Sequence, residues 1–209
     1  MKPMKDMKIK KKKEEKLEKN LVSLEINNSN KSHYEISNLN NNQKKINKIS
    51  GYSYAPISLT QTLEKGIFQI ELEFSNGGSD SGIGIVRDSY SIPSGGEPFV
   101  GINCQHMATF GGGGYNGGAG SVSYKGSSVS GNKSYSDNQK VMMEYDSGKC
   151  TLTLFINNEQ QPVYVSGIKE KVKFVLGMYS TGRTCIIKSL KKVSAPTAIH
   201  LSNEKAVQW

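Results

Sequence analysis

The chain contains 209 residues, 35% of them hydrophobic, and carries a formal net charge of +9. This length is enough for one domain with a sizeable core, or for two small ones. There is no run of about 18 apolar residues and no apolar segment after the N-terminal lysines, which argues against a membrane span and a secretory signal. We therefore expect a soluble protein of the cytoplasm, with the nucleus as the alternative.

Residues 1–50 form a leader that is rich in lysine and asparagine. It holds 13 lysines and 6 acidic residues, and therefore +7 of the net charge of +9. Leu17, Leu21 and Leu24 recur at helical spacing, which predicts a short helix over 10–24 in an otherwise disordered segment, and 27–47 is typical of a linker. A basic leader of this kind is able to bind nucleic acid or an acidic membrane surface. The rest of the chain carries only +2, so nucleic acid is not the expected partner of the body.

From residue 51 onward the pattern changes to short strands with an apolar–polar period of two. Residues 52–59 predict an edge strand, because Pro56 has no N–H to donate to a central ladder. Residues 67–74 alternate strictly, which predicts a strand with one buried face, and 82–86 and 99–104 predict the strands that follow. The glycine run at 111–120 lacks the lysine and hydroxyl residue of a phosphate-binding loop and is interpreted as a surface crossing.

The clearest strand pattern lies at 140–165. Three apolar-rich stretches are separated by two sets of turn residues; Gly148 is expected to adopt the positive φ of the first turn, and Asn157 and Asn158 suit the second. Residues 172–178 and 185–190 complete the set, and 194–209 is a tail in which 198–201 is the candidate for edge pairing. The predicted fold class is all-β: a two-sheet antiparallel β-sandwich over 51–193.

These segments resemble a known family, the SPRY (B30.2-type) domains. The pattern lies in Asp146-Ser-Gly148, Leu152-Thr-Leu-Phe-Ile-Asn157-Asn158 and Val163-Tyr-Val165, and 66–74 and 82–86 are similar to the family's earlier strands. The resemblance covers residues 51–192 and implies a concanavalin-like β-sandwich that binds a partner protein through its loops. The longer version of the domain is disfavoured, because its additional N-terminal motifs are missing from the sequence.

Catalytic and metal-binding patterns are missing from the sequence as well. Its three histidines and three cysteines show no zinc spacing, and there is no Gly-x-Ser-x-Gly elbow. Glu71 and Glu73 lie two apart on one strand face, which fits a solvated face better than a glycosidase pair, because the body has no tryptophan to hold a sugar ring. We expect no enzyme activity, metal or cofactor, and reduced structural thiols at Cys104, Cys150 and Cys185.

The resemblance implies a partner-binding surface at one end of the sandwich, built from three loops that present rigid aromatic rings and a guanidinium fork. The predicted ligand is a short peptide segment of another protein. A lectin-like carbohydrate-binding sandwich is the alternative, but it requires stacking aromatics, calcium-type carboxylates or a secretory signal, which the sequence lacks. The predicted partner-binding residues are Tyr54, Pro56, Ser89, Tyr90, Pro93, Tyr115, Tyr179, Thr181 and Arg183.

Overall fold

The computed structural model describes residues 20–40, 42–98, 100–114 and 118–209. Within these ranges the chain forms sixteen strands and two short 3-10 turns, Gly78–Asp80 and Asn103–Gln105. The strands are β1 (Ile26–Asn27), β2 (Tyr34–Asn40), β3 (Gln43–Lys48), β4 (Ile57–Leu59), β5 (Ile67–Ser75), β6 (Ser81–Arg87), β7 (Met107–Gly111), β8 (Ser121–Tyr124), β9 (Ser127–Ser130), β10 (Lys140–Asp146), β11 (Thr151–Ile156), β12 (Glu159–Gln160), β13 (Val163–Ser166), β14 (Val172–Met178), β15 (Thr184–Val193) and β16 (Lys205–Gln208).

The strands form two sheets that enclose one apolar core. The small sheet has seven strands in the order β1-β4-β14-β6-β7-β8-β9, and the large sheet has nine, in the order β16-β13-β11-β10-β5-β15-β3-β2 with β12 paired to β11. Among the described strand pairs, only β13 and β16 run parallel. The prediction of an all-β, antiparallel two-sheet sandwich is confirmed.

Alternation along β5 shows how the sequence builds this core. Phe68, Ile70, Leu72 and Phe74 are buried, whereas the side chains between them are only partly covered. Glu71 and Glu73 form ion pairs with Lys140 and Lys188 on neighbouring strands. Each buried apolar side chain stabilises the fold by roughly 1.5–3 kcal/mol, so the alternation fixes which face of the strand is turned inward.

The strand pattern predicted at 140–165 corresponds to β10, β11, β12 and β13, with β11 antiparallel to each of the others. Asn157 and Asn158 take positive φ values of 50° and 68°, as expected for the second turn. In the first turn the left-handed residue is Cys150, with φ 57°, and not Gly148. The reason is that Asp146 Oδ1 accepts hydrogen bonds from the backbone N–H groups of Gly148 and Lys149, so the left-handed residue comes two positions later than predicted.

The prediction that the leader extends to residue 50 is wrong, because β1, β2 and β3 lie inside it. β3 pairs with β15 and β2 pairs with β3, so this hairpin forms one edge of the large sheet. An edge hairpin buries few side chains, which is why the asparagine-rich composition hid it. Residues 20–24 of the predicted helix are not helical, since Leu21 bridges to Lys191. Residues 10–19 lie outside the described part of the chain.

Residues 194–209 are also more than a tail. The edge strand is β16, at Lys205–Gln208, and not the predicted 198–201. The backbone N–H groups of Ala198 and Ile199 are instead bound by side chains, those of Glu144 and Gln160, which removes them from strand pairing. The segment therefore crosses the outer face of the large sheet before it pairs with β13.

Residues 100–104 do not form the strand predicted over 99–104, of which Phe99 lies outside the described residues. Gly101 takes a φ of 60° and Ile102 is helical, so the chain enters the 3-10 turn Asn103–Gln105, and the strand begins at Met107 instead. In the ranges that the structure describes, no helix is long and apolar enough to cross a membrane.

Candidate functional site

The loops of the sandwich gather at two opposite ends. At one end Ser81 of β6 pairs with Met178 of β14, and at the other Arg87 pairs with Val172. We call the first the Tyr52 end, because the loops 49–56, 76–80 and 179–183 meet there. We call the second the Trp209 end, after the residue that lies against Tyr124 there. A seven-residue strand such as β6 spans about 20 Å, so the two ends present separate surfaces.

At the Tyr52 end, two loops are joined to each other. Tyr52 forms a backbone bridge to Ser180, and the Thr181 hydroxyl donates a hydrogen bond of 3.3 Å to the carbonyl of Gly51. From below, the Nζ of Lys48 donates to the carbonyl of Ser53 at 2.7 Å. These bonds hold the two loops in a defined position, as a recognition surface requires.

The surface that results is aromatic. Tyr52 is 76% exposed and Tyr179 is 37% exposed, and their ring centroids lie 6.4 Å apart in an edge-on arrangement. Tyr54 is only 2% exposed and packs behind Tyr179, at a ring distance of 5.2 Å. Exposed rings on a rigid base offer a large contact area at low entropic cost, and their hydroxyl groups add hydrogen bonds.

Two of the predicted partner-binding residues, Tyr54 and Pro56, are buried beneath this surface. The cause is Ala55, which takes a φ of 41° and so interrupts the alternation of the extended backbone. Tyr54, Ala55 and Pro56 are consequently all turned inward. The exposed tyrosine of this short segment is therefore Tyr52 and not the predicted Tyr54.

Arg183 was also predicted to contact a partner, but its guanidinium group is used inside the molecule. Nη1 donates to the carbonyls of Asn76 and Gly77, and Nη2 forms an ion pair with Asp80 and a hydrogen bond to Ser180 Oγ. Only 15% of the side chain is exposed. Arg183 therefore supports the loop between β5 and β6, which connects the two sheets.

The loop that contains Ser89, Tyr90 and Pro93 leaves β6 at the Trp209 end. Tyr90 stacks on His106 with ring centroids 4.1 Å apart, and its hydroxyl donates to Asn103 Oδ1 at 2.6 Å. Tyr90 also packs against an apolar cluster on the outer side of the small sheet, while Ser89 and Pro93 are exposed. These residues are not part of the surface that Tyr52 and Tyr179 form.

The structure thus brings together only part of the predicted set. Tyr179 and Thr181 lie at the surface, Tyr54 supports it, and Tyr52 joins it as a residue that the sequence analysis missed. Tyr115 lies outside the described residues. We name the exposed part the tyrosine surface and define it as Tyr52, Tyr179 and Thr181.

A buried polar group lies directly under the tyrosine surface. Lys48 is 1% exposed; its Nζ lies 3.2 Å from His33 Nδ1 and 4.6 Å from the centre of the Tyr34 ring. Burial lowers the pKa of Lys48 to about 8, and the nearby Glu97 carboxylate acts in the opposite direction. Burial likewise raises the pKa of Glu97, whose Oε1 accepts the backbone N–H of Tyr54 at 3.2 Å. Its Oε2 has no hydrogen-bond partner among the described residues.

We expect Lys48→Met to remove a pH dependence of stability that the wild-type chain shows above pH 8. The pKa of this lysine falls from 10.5 to about 8 on folding, so between these values the unfolded state binds more protons and wild-type stability rises with pH. The free energy of unfolding of the wild type, minus that of the variant, should increase by about 1.4 kcal/mol per pH unit between pH 8 and about 10.

Urea unfolding at several pH values measures this difference. Subtracting the variant cancels the ionisation of Cys185 and Tyr145, whose pKa values are raised by burial. Tyr34 lies against Lys48, but burial raises its pKa above this window. Burial and the Lys48 charge lower the pKa of His33 from its ordinary value, so this histidine does not titrate in the window. A difference that stays constant from pH 8 to about 10 would mean that the Lys48 amine is not desolvated in the folded chain.

The tyrosine surface carries no arrangement of metal ligands. Across the part of the chain that the structure describes, no group of three or more His, Cys, Asp or Glu side chains is placed to hold a metal ion. Cys104 and Cys185 are buried free thiols and Cys150 is a partly exposed one. The chemistry that the surface offers is therefore contact through aromatic rings and hydroxyl groups.

Comparison with known proteins identifies the fold. No protein-family model matches the sequence, and no curated protein matches it significantly in sequence. The TRIM65 PSpry domain superposes with a TM-score of 0.59 and 13% identity, covering 83% of this chain and 96% of that one. The SPRY domain of human HERC1 gives a TM-score of 0.51 and 10% identity, covering 79% and 98%.

Stonustoxin is a third similar structure. Its TM-score is 0.54 at 13% identity, and the match covers 81% of this chain but 27% of that larger one. Identities this low describe the fold alone. The resemblance found in the sequence is thereby confirmed at the level of architecture: this chain has the SPRY-like β-sandwich fold.

Proposed function

We propose that this chain is a non-catalytic interaction module that binds a short peptide segment of a partner protein through the tyrosine surface. The observation that carries this proposal is the exposed pair Tyr52 and Tyr179 on two loops that are bonded to each other. Tyrosine is enriched among residues that dominate binding energy, because it buries a large rigid area and keeps a polar end. The likeness to SPRY domains supports the proposal at the level of fold.

The chemistry of the surface defines the kind of ligand. Two rings set edge-on make a surface for apolar or proline side chains, and the hydroxyl groups of Tyr52, Tyr179 and Thr181 are available to a peptide backbone. No deep cavity is required, because a peptide of this kind binds across the loops. We also propose that the protein acts in the cytoplasm.

We expect Tyr52→Ala and Tyr179→Ala to weaken peptide binding strongly without unfolding the chain. The experiment is to select peptides from a random display library on the immobilised wild-type chain and to measure the affinity of the enriched peptides for each variant. Truncation of a dominant interface tyrosine costs about 2 kcal/mol, which corresponds to a loss of about 30-fold in affinity. Thermal melts verify that both variants are folded.

The matched control is Ile199→Ser. Ile199 is a large apolar side chain that is 67% exposed but lies across the large sheet, near Gln160. It should leave the affinity unchanged if binding is specific to the tyrosine surface. Enriched peptides that bind both tyrosine variants as tightly as the wild type would show that the ligand is held elsewhere.

A further inference from the structure

The segment 205–209 occupies the sheet edge in the manner of a bound peptide. β16 adds to β13 as a parallel strand, with Val163 opposite Lys205 and Ser166 opposite Gln208. Val207 is turned into the core, and Trp209 packs against the core two residues later on the same face. Addition of an extended peptide to a sheet edge, with alternate side chains entering pockets, is a recurring mode of peptide recognition.

Trp209 lies in a slot built by other parts of the chain. Its ring stacks on Tyr124 with centroids 4.8 Å apart and an interplanar angle of 5°, and the Arg87 guanidinium carbon lies 5.0 Å from the ring centre. The indole Nε1 donates to Glu170 Oε1 at 2.7 Å. Arg87 is held in place by an ion pair with Glu170 and a hydrogen bond of 3.1 Å to the Tyr124 hydroxyl. The slot therefore satisfies both the face and the polar edge of an indole.

The connection that leads to this segment contributes little burial. From residue 194 to residue 206, a stretch that the structure describes without a gap, no side chain is buried. The connection is held by hydrogen bonds from the Thr197 and Ala198 N–H groups to the Glu144 carboxylate, and by Gln160, which bonds both the N–H and the carbonyl of Ile199. Segments with few buried apolar contacts open locally at a lower free energy than the whole domain.

We propose that the β13 edge and the slot of Arg87, Tyr124 and Glu170 form a second binding site, distinct from the tyrosine surface. Its ligand class is an extended peptide segment of a partner protein in which an aliphatic residue precedes a tryptophan by two positions. The chain's own 205–209 is the tethered occupant of this site, and a partner segment with the same pattern displaces it. The edge supplies backbone hydrogen bonds, and the slot supplies selectivity for the aromatic residue.

A tethered occupant competes with any ligand that arrives from outside. A short connection gives an effective concentration of the order of millimolar, so the wild-type chain should bind an external peptide weakly. Removing the tryptophan from the tethered segment weakens this competition. External binding should therefore become tighter in Trp209→Ala, by about tenfold or more.

The probe is a fluorescently labelled peptide with the sequence of residues 203–209, and the readout is fluorescence anisotropy on the full chain. Trp209→Ala is expected to bind it saturably, with an affinity at least about tenfold higher than that of the wild type. The double variant Arg87→Ala/Trp209→Ala lacks one face of the slot. Its affinity for the peptide should be about tenfold lower than that of Trp209→Ala alone. Ile199→Ser, which changes an exposed side chain of the connection, should behave like the wild type.

A second measurement uses the wild-type chain and does not depend on whether Trp209→Ala folds. Trp209 is the only tryptophan in the chain, so its fluorescence reports the slot directly. Titrating the wild type with the same peptide carrying phenylalanine in place of tryptophan should shift the Trp209 emission to longer wavelength as the segment is displaced into water. No shift in the wild type up to about 1 mM peptide, together with no saturable binding to a folded Trp209→Ala chain, would overturn the proposal.

Discussion

A chain that begins at Gly51 is expected to lose the cooperative fold, although the sequence pattern alone places the start of the domain at that residue. Such a chain lacks β1, β2 and β3, and with them the buried side chains of Leu24, Tyr34 and Ile46. At roughly 1.5–3 kcal/mol for each, the lost burial amounts to about 5–9 kcal/mol. This is comparable with the entire stability of a typical domain.

The deletion also removes polar groups that organise the Tyr52 end. Asn30 is fully buried; its amide donates to the carbonyls of Ala55 and Pro56, and its oxygen accepts the N–H of Gly95 at 2.6 Å. The Tyr34 hydroxyl donates to the carbonyl of Tyr54 at 2.6 Å and accepts the N–H of Met178 at 3.0 Å. Buried partners left without these bonds cost about 1–3 kcal/mol each.

Circular dichroism, thermal melting and size-exclusion chromatography measure the outcome. The matched control is a chain that begins at Asn20, which keeps all the strands that the structure describes and should melt cooperatively, as the full chain is expected to do. A sharp melt of the Gly51 chain at the temperature of the full chain would contradict this prediction. It would mean that the hairpin of β2 and β3 pairs with the sheet without contributing to the stability of the fold.

The elements that sequence reasoning placed correctly are those whose periodicity determines their burial. β5 buries four side chains in strict alternation, so its pattern was sufficient to predict both the strand and its buried face. β11 buries five of its six residues, on both faces, and its alternating β-branched and apolar residues were sufficient to predict the strand. β2 and β3 carry the same period in Tyr34, Ile46 and Lys48, but the buried members are few and stand among asparagines and lysines. The polar composition of residues 27–47 therefore indicated a linker. The hairpin there is stabilised by the pairing of β3 with β15, which composition does not show.

The candidate site was predicted less well, for a different reason. Which tyrosine of the segment 52–54 is exposed depends on the positive φ of Ala55, and nothing in the sequence marks that residue for a left-handed conformation. The placement of Tyr90 depends on His106 and Asn103, which are distant in sequence and come together only when the loop folds over the small sheet. A resemblance to a family fixes the order of strands, but it does not fix the path of loops.

Arg183→Ala is expected to destabilise the fold rather than to weaken partner binding directly. The guanidinium group donates to the carbonyls of Asn76 and Gly77 and to the Asp80 carboxylate. Asp137 holds the same loop from the other side, because its carboxylate accepts the N–H groups of Gly77 and Gly78. Removal of Arg183 leaves the partly buried Asp80 carboxylate and the Asn76 carbonyl without this donor, whereas the Gly77 carbonyl keeps the N–H of Asp80. The expected cost is about 2–4 kcal/mol in the free energy of unfolding.

Urea unfolding of the variant tests this directly, and two further variants make the result interpretable. Arg183→Lys keeps the charge but has no planar fork, so it should recover only part of the lost stability. Thr181→Ala changes an exposed residue two positions before Arg183, in the loop 179–183, and should alter the free energy of unfolding by less than about 0.5 kcal/mol. If Arg183→Ala is as stable as the wild type and yet loses the peptides selected on the tyrosine surface, then the guanidinium group is available to a ligand. In that case Asp80 and the loop between the sheets must be held by other contacts.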